Sequence, residues 1–286
     1  MIRLFARKHP RTIAAGLFFA LTLILALPYA IWGAVDVTEG TGVMTFDALT
    51  NGVAWQAIMA ITLVLVVWGL KWSDITGFQG PYDRSGIRSF LWVGAFPALG
   101  ALGFSIALMT SEDVAGPITI ITIVLMLNFF VGLSEEVMFR GIVFGALREK
   151  HQLITAVALS SVAFGLLHLV NLGLGQAVSL TAFQVLNATA LGALFCAIRL
   201  QTNSIWPPIF LHMIWNSYVM LGQALSETEA TDTENLVSTD LDASSFLLPT
   251  ILIVITFWVL RSYTRRTGQS LFRKAPTPTI LPTIGA

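Results

Sequence analysis

Residues 132–140 read Gly-Leu-Ser-Glu-Glu-Val-Met-Phe-Arg, and this stretch places three ionisable side chains inside an otherwise apolar segment. Apolar residues dominate on both sides of it. An ionisable side chain at mid-membrane costs several kcal/mol and usually marks a functional site. Glu135, Glu136 and Arg140 therefore need partners at the same depth, and those partners define the candidate site.

The composition predicts a membrane protein. The 286-residue chain is 55% hydrophobic and 11% charged, whereas a soluble domain carries about 25% charged residues. Several apolar runs are about 20 residues long, which is the length that crosses a bilayer as a helix. The net charge of zero gives no reason to expect nucleic acid as a partner, and the single cysteine, Cys196, excludes an intrachain disulfide.

The fold class is predicted to be an all-α polytopic membrane protein with about eight transmembrane helices. The predicted spans are Thr12–Gly33, Gly52–Leu70, Ser89–Thr110, Pro117–Glu149, Gln152–Asn171, Ala177–Leu200, Ser204–Ala224 and Ser244–Arg261. Basic residues precede the first span as they do in a signal peptide, but its apolar core of about 20 residues is longer than a signal core, and a retained helix is preferred.

The charges of the connecting loops predict the orientation. Four alternate loops contain no lysine or arginine, and together they hold eleven carboxylates. Apart from Arg140, all 15 remaining basic residues lie at the other ends of the helices. The positive-inside rule then places both termini in the cytoplasm, and a bacterial inner (plasma) membrane is the predicted location.

Four parts of the chain are predicted. Helices one to three occupy 1–116, and a catalytic core of helices four to seven occupies 117–224. An acidic external loop follows at 225–243. The last helix and a basic, proline-containing cytoplasmic tail occupy 244–286.

Residue counting places four polar side chains at similar depths. At 1.5 Å per residue, Glu135 lies about 20 Å from the basic end of helix four, and His168 lies about 24 Å along helix five. On helix seven, His212 and Asn216 are about 12 and 18 Å from the same end. We therefore expect these side chains to meet near mid-membrane.

Helical spacing separates the two glutamates. Glu136 and Arg140 are i,i+4 neighbours and are predicted to form a supporting ion pair. Glu135 points about 100° away and faces a different partner. His212 and Asn216 are also i,i+4 neighbours on one helix face.

Two chemistries suit this set of residues. A buried carboxylate can take a proton from water with the help of a histidine, while a second histidine and an amide stabilise an oxyanion. This combination hydrolyses amide bonds. Alternatively, Glu135, His168 and His212 form a three-ligand zinc set with one open position. The His-Glu-x-x-His helix of zincins is absent from the sequence.

Three motifs occur in order, Glu135-Glu136-x-x-x-Arg140, Phe164-x-x-x-His168 and His212-x-x-x-Asn216. Together they resemble the motifs of the CAAX protease and bacteriocin-processing family, which consists of multi-helix intramembrane endopeptidases and includes the type II CAAX prenyl proteases. The resemblance covers about 125–220. It implies that the first glutamate activates water with the first histidine as its partner, and that the second histidine and the asparagine line the oxyanion site.

The resemblance leaves the cofactor and the substrate open. Members of the family have been described both as metalloproteases and as metal-independent glutamate proteases, so either zinc or no metal is compatible. No required metal is the preferred hypothesis. The expected partners are a membrane protein or peptide substrate and the lipid bilayer. A non-catalytic membrane adaptor or immunity protein and a proton-coupled transporter are the alternatives.

Overall fold

The structure is a computed structural model of an α-helical protein, and it describes residues 7–32, 46–79, 82–112, 114, 116–229 and 243–273. No β-strand occurs in these ranges. Eight main helices follow one another: α1 Pro10–Trp32, α2 Phe46–Leu70, α3 Ile87–Thr110, α4 Pro117–Glu136, α5 Leu153–Leu167, α6 Val178–Thr202, α7 Trp206–Glu229 and α8 Leu247–Thr267.

Each predicted span overlaps one of these helices, and the fourth, Pro117–Glu149, also includes helical residues that follow α4. Within the described residues, six segments are long and apolar enough to cross a membrane, and they contain α2 to α6 and α8. This confirms the all-α polytopic fold and an integral, multi-pass membrane protein. The helices α1 and α7 are not among the six, so the count of eight spans and the orientation of the termini stay predictions.

The outer surface of the bundle is apolar. Large side chains such as Trp68, Trp92 and Leu99 are 72%, 79% and 69% exposed. The ionisable residues Glu136 and Arg140 are instead fully buried inside the bundle. A helical bundle with an apolar outer surface and ionisable residues in its interior is suited to a lipid environment.

Two glycines let the central helices approach closely. Helix α4 packs against α2 and α7, and α6 packs against α5 and α8. A Cβ atom on Gly132 of α4 would lie 2.9 Å from the carbonyl oxygen of Ile209 in α7. Gly165 of α5 similarly faces the carbonyl oxygen of Val185 in α6, 2.7 Å from where its Cβ would be. Small residues at such crossings are typical of membrane helix pairs.

The long fourth segment is interrupted rather than continuous. Helix α4 passes into a π-helical segment, Val137–Val143, before ordinary α-helix resumes at Phe144–Arg148. The hydroxyl of Ser160 on α5 donates to the carbonyl oxygen of Phe139 in this segment, at 2.8 Å. Single π-helical turns inside α-helices occur frequently at functional sites.

One short turn between α2 and α3 covers this segment. The helical turn Ser73–Thr76 packs against it, with the Cβ of Thr76 3.1 Å from where a Cβ on Gly141 would lie. The side chains of Trp72 and Thr76 are completely buried. This part of the connection between α2 and α3 therefore lies inside the bundle.

The acidic loop predicted at 225–243 lies outside the described residues except for its two ends. The tail beyond residue 273 also lies outside them.

Candidate active site

The carboxylate of Glu136 has two cationic or polar neighbours. Arg140 Nη1 donates to Glu136 Oε1 at 2.9 Å, so the i,i+4 ion pair predicted from the sequence is present. His212 Nδ1 lies 2.9 Å from the same oxygen. Since an ionised carboxylate only accepts hydrogen bonds, Nδ1 of His212 carries the proton in this contact.

This second contact corrects one expectation. The sequence treated Glu136 as part of a supporting pair only, separate from the histidines. In the structure Glu136 is a direct partner of His212, because α7 crosses α4 close enough for one imidazole to reach both adjacent glutamates.

Glu135 meets the other face of the same imidazole. Its Oε2 atom lies 3.6 Å from His212 Nε2. The side chain of Glu135 is 16% exposed, whereas that of Glu136 is 0% exposed. Of the two carboxylates, Glu135 is therefore the one that a water molecule can reach.

Aromatic rings hold the imidazole of His212 in place. The ring of Phe195 on α6 lies 5.3 Å from it in a tilted arrangement, and the ring of Phe164 on α5 lies 5.8 Å away edge-on. A Cβ atom on Gly132 of α4 would lie 3.5 Å from the Cβ of His212. The absence of a side chain at Gly132 thus permits the contact between His212 and the two glutamates.

The same rings surround the guanidinium of Arg140. Its Cζ atom lies 4.2 Å from the centre of the Phe164 ring and 5.2 Å from that of Phe195. Nε and Nη2 of Arg140 and Oε2 of Glu136 are buried without a hydrogen-bond partner in the described chain. The positive charge of Arg140 is also stabilised by cation–π attraction to these rings, which is stronger where water is excluded.

His168 lies at the start of a 3-10 segment, His168–Leu174, that follows α5. Its Nδ1 donates to the carbonyl oxygen of Phe164 at 3.0 Å, which leaves Nε2 as the acceptor in the neutral ring. Its ring is edge-on to Phe164 at 5.2 Å, so Phe164 contacts both histidines. Within the described residues no direct ion pair joins His168 to Glu135.

The amide of Asn216 lies one helical turn beyond His212 on α7, as the spacing requires, and it is partly buried. Among the residues that the structure describes it makes no hydrogen bond, so its donors are available to a ligand.

The predicted zinc ligands do not fit a metal site in this arrangement. No group of three histidine, cysteine or carboxylate side chains in the described ranges is arranged to hold a metal ion. Glu135 and His212 are together, but in the described ranges His168 does not join them as a third ligand.

Sequence reasoning missed two contributors to the site. Phe195 belongs to no motif, and its position against His212 and Arg140 depends on how α6 packs. Gln56 of α2 accepts a hydrogen bond from Ser134 at 3.3 Å, next to Glu135 in the chain. Neither has a linear signal, because each is distant in sequence from the residue that it contacts.

Two comparisons with known proteins match the part of the chain that contains the site. Residues 117–218 match the family model for the Rce1-like type II CAAX prenyl endopeptidases. The chain is also similar to the "Putative membrane peptidase YdiL" of Bacillus subtilis (strain 168), with 30% identity over 159 residues. That similarity covers 51% of this chain and 60% of the relative.

The matched segment contains all three motifs, the π-helical segment and both histidines. For this helical core, the comparisons confirm the resemblance to the CAAX protease and bacteriocin-processing family.

Proposed function

We propose that this protein is an intramembrane endopeptidase that hydrolyses a peptide bond in a membrane-associated protein or peptide. The family resemblance supports the reaction class. The observation that carries the proposal is the pair formed by Glu135 and His212, in which a partly exposed carboxylate lies 3.6 Å from an imidazole that a second carboxylate orients.

Glu135 is the proposed general base. A carboxylate that is partly exposed inside an apolar bundle can bind a water molecule and accept its proton as the water attacks the carbonyl carbon. His168 assists from across the site: with Nδ1 donating to Phe164, its Nε2 accepts a hydrogen bond, and a bridging water can connect it with Glu135.

His212 and Asn216 are the proposed oxyanion donors. As the water oxygen bonds to the carbonyl carbon, negative charge develops on the carbonyl oxygen. A hydrogen-bond donor already positioned at that oxygen stabilises the transition state. Nδ1 of His212 donates to Glu136, and its Nε2 can donate to the oxyanion when that nitrogen carries a proton. Asn216 supplies an amide N–H from the next turn of α7.

Collapse of the tetrahedral intermediate completes the reaction. The carbon–nitrogen bond breaks, and the proton that Glu135 took from water passes to the leaving amine. The first products are a carboxylic acid and an amine, Glu135 returns to its ionised form, and the acid then gives its proton to the amine to leave a carboxylate and an ammonium group.

The proposed substrate class follows from the position of the site. The site lies among helices with apolar outer faces, so a segment in or beside the bilayer reaches it more easily than a soluble loop. The matching family is that of the type II CAAX prenyl endopeptidases, and none of the described residues identifies a prenyl group as a requirement for this chain.

Cleavage of a reporter peptide by the purified protein tests the proposal. We expect Glu135→Gln to reduce kcat by about 10²–10⁴, the usual contribution of a general base. His168→Ala should reduce it as well. The matched control is Glu149→Gln, the same change at an exposed carboxylate that the proposal places outside the site. Full activity in Glu135→Gln would contradict the assigned base.

A further inference from the structure

Two arginines near one end of the bundle have no counter-ion among the residues that the structure describes. Arg148 ends the continuation of α4, and Arg199 lies in the last turn of α6. Both helices finish at the end of the bundle where α2 and α8 also finish, which we call the basic end. Arg199 is only 4% exposed, although its guanidinium is always charged.

Several nitrogen atoms of this pair are unsatisfied. Nε and Nη1 of Arg199 and Nε of Arg148 are buried without a hydrogen-bond partner in the described chain. The residues beside them in the chain pack together, since Leu147 contacts the same apolar cluster that contains Ile198 and Leu200, and this brings the two arginines to one part of the bundle. Buried charges of like sign are costly unless something pairs with them.

The acidic residues at the basic end are engaged elsewhere. Asp74 pairs with Arg7, and Asp83 pairs with Arg266. Glu149 interacts electrostatically with Lys150, Arg11 and Arg7, and not with the buried pair. Residues 1–6, 80–81 and 274–286, which the structure does not describe, contain no aspartate or glutamate.

The surroundings of the pair are shaped for a planar guanidinium. Gly77 adopts φ 87°, and a Cβ there would collide with the guanidinium of Arg199, so the glycine leaves space for it. The Cζ of Arg148 lies 5.5 Å from the ring of Phe144. The negative ends of two helix dipoles stabilise the charges in part, but they leave the N–H groups named above without acceptors.

We propose that Arg148 and Arg199 form a binding site for a phosphate group at the basic end of the bundle. Guanidinium groups bind phosphate through two parallel hydrogen bonds, and a pair of them matches its charge and its several oxygens. Basic pockets between transmembrane helices are known to bind anionic lipid headgroups. The phosphate of an anionic phospholipid and free inorganic phosphate share this chemistry. The site is independent of the proposed peptidase reaction.

Thermal unfolding of the protein in neutral detergent tests this site. The probes are dispersed phosphatidylglycerol, dispersed phosphatidylcholine and inorganic phosphate, each titrated separately. We expect phosphatidylglycerol to raise the unfolding temperature and phosphatidylcholine to leave it unchanged. If inorganic phosphate alone reproduces the full effect, the ligand is soluble phosphate; if it has little effect, the ligand is the lipid.

Variants connect the effect with the two arginines. Arg148→Gln and Arg199→Gln should each weaken the apparent affinity for phosphatidylglycerol about tenfold or more, because each removes charge-assisted contacts. Without the ligand these variants should be at least as stable as the wild type, since like-charge repulsion is relieved. Arg88→Gln removes an exposed arginine and should leave binding unchanged.

Three results would overturn the proposal: no stabilisation by any of the anions, an equal loss in Arg88→Gln, or unfolding of both buried-arginine variants without ligand. Native mass spectrometry of the wild type measures lipid binding without any substitution. Phosphatidylglycerol should stay bound under activation that removes phosphatidylcholine, and equal loss of the two lipids would contradict the site.

Discussion

At the scale of single residues, two adjacent carboxylates have opposite environments. Glu136 is fully buried and shares one oxygen between Arg140 and His212, whereas Glu135 is partly exposed and meets His212 from the other side. The imidazole of His212 therefore contacts two different carboxylates. That of Glu136 stabilises the fold, and that of Glu135 can contact water. The same substitution should therefore have different effects on stability at position 135 and at position 136.

Glu136→Gln is expected to destabilise the protein far more than Glu135→Gln. Removing one partner of a buried ion pair leaves the other charge uncompensated, at a cost of about 3–5 kcal/mol. Glu135 has no such pairing with arginine, so its neutral isostere should unfold close to the wild-type temperature. Thermal unfolding in one detergent compares the two directly. Equal unfolding temperatures would contradict the environments described above.

At the scale of helices, the site depends on the crossing of α4 and α7. Gly132 faces the backbone of α7 at Ile209 and lies below His212. The π-helical segment follows directly after Glu136, and it places Arg140 between the aromatic rings of α5 and α6. Both features determine where the helices and their side chains lie. The distance of 3.6 Å between Glu135 and His212 would change if either helix shifted.

Gly132→Ala is expected to lower activity although alanine favours helix. Its Cβ would lie 2.9 Å from the carbonyl oxygen of Ile209, so α7 must shift and carry His212 away from Glu135. Misplacement by about 1 Å can reduce catalysis about 10²-fold. Peptide cleavage at equal folded concentration gives the measurement.

Gly103→Ala in α3 is the matched control for this change, because nothing lies within 4 Å of its Cβ position. Alanine there should stabilise the helix by about 0.5–1 kcal/mol and leave activity unchanged. If the variants at Gly132 and Gly103 behaved alike, close helix contact would not explain the site.

At the scale of the whole molecule, a set of polar contacts joins three distant segments at the basic end. Arg266 of α8 pairs with Asp83 and donates to the backbone oxygen of Gln201 at 3.1 Å. The amide of Asp83 donates to the carbonyl oxygen of Thr202 at 2.9 Å. These contacts connect the loop before α3 with the ends of α6 and α8, and so close the bundle beside the turn that covers the site.

Asp83→Asn is expected to reduce stability modestly and in a pH-dependent way. A hydrogen bond from the Ser85 hydroxyl, together with Arg266, lowers the pKa of Asp83 below its ordinary value. The stabilisation is therefore complete above the unfolded pKa of about 3.9 and is lost as pH falls through the folded pKa. A partly exposed pair contributes up to about 1 kcal/mol.

Unfolding of the wild type and Asp83→Asn across pH measures this contribution. The difference in stability should be constant near neutral pH and should shrink only in strong acid. A difference that disappears already near pH 6 would contradict the lowered pKa, because the carboxylate is still ionised there.

The orientation of the bundle is a separate prediction at this scale. Cysteines introduced at Lys8 and Ser270 should react with a membrane-impermeant maleimide only after cells are permeabilised. A cysteine introduced at Ser226 should react in intact cells, because the acidic loop is predicted to be external. The native Cys196 is buried and should give little background. The reverse pattern would exclude cytoplasmic termini.

The sequence by itself determined the class of the protein, the eight helical segments, the three motifs and the Glu136–Arg140 pair. Each of these depends on hydrophobic length or on spacing within one helix, which are local properties. Depth counting also brought Glu135 and His212 together, because helix rise converts sequence position into depth.

Only the tertiary structure decided that His212 contacts both glutamates, that Phe195 borders the site, and that His168 does not pair directly with Glu135. The π-helical segment and the unpaired arginines at the basic end likewise had no linear signal. These features depend on how helices rotate and cross, and such packing is set by side chains that are far apart in the sequence.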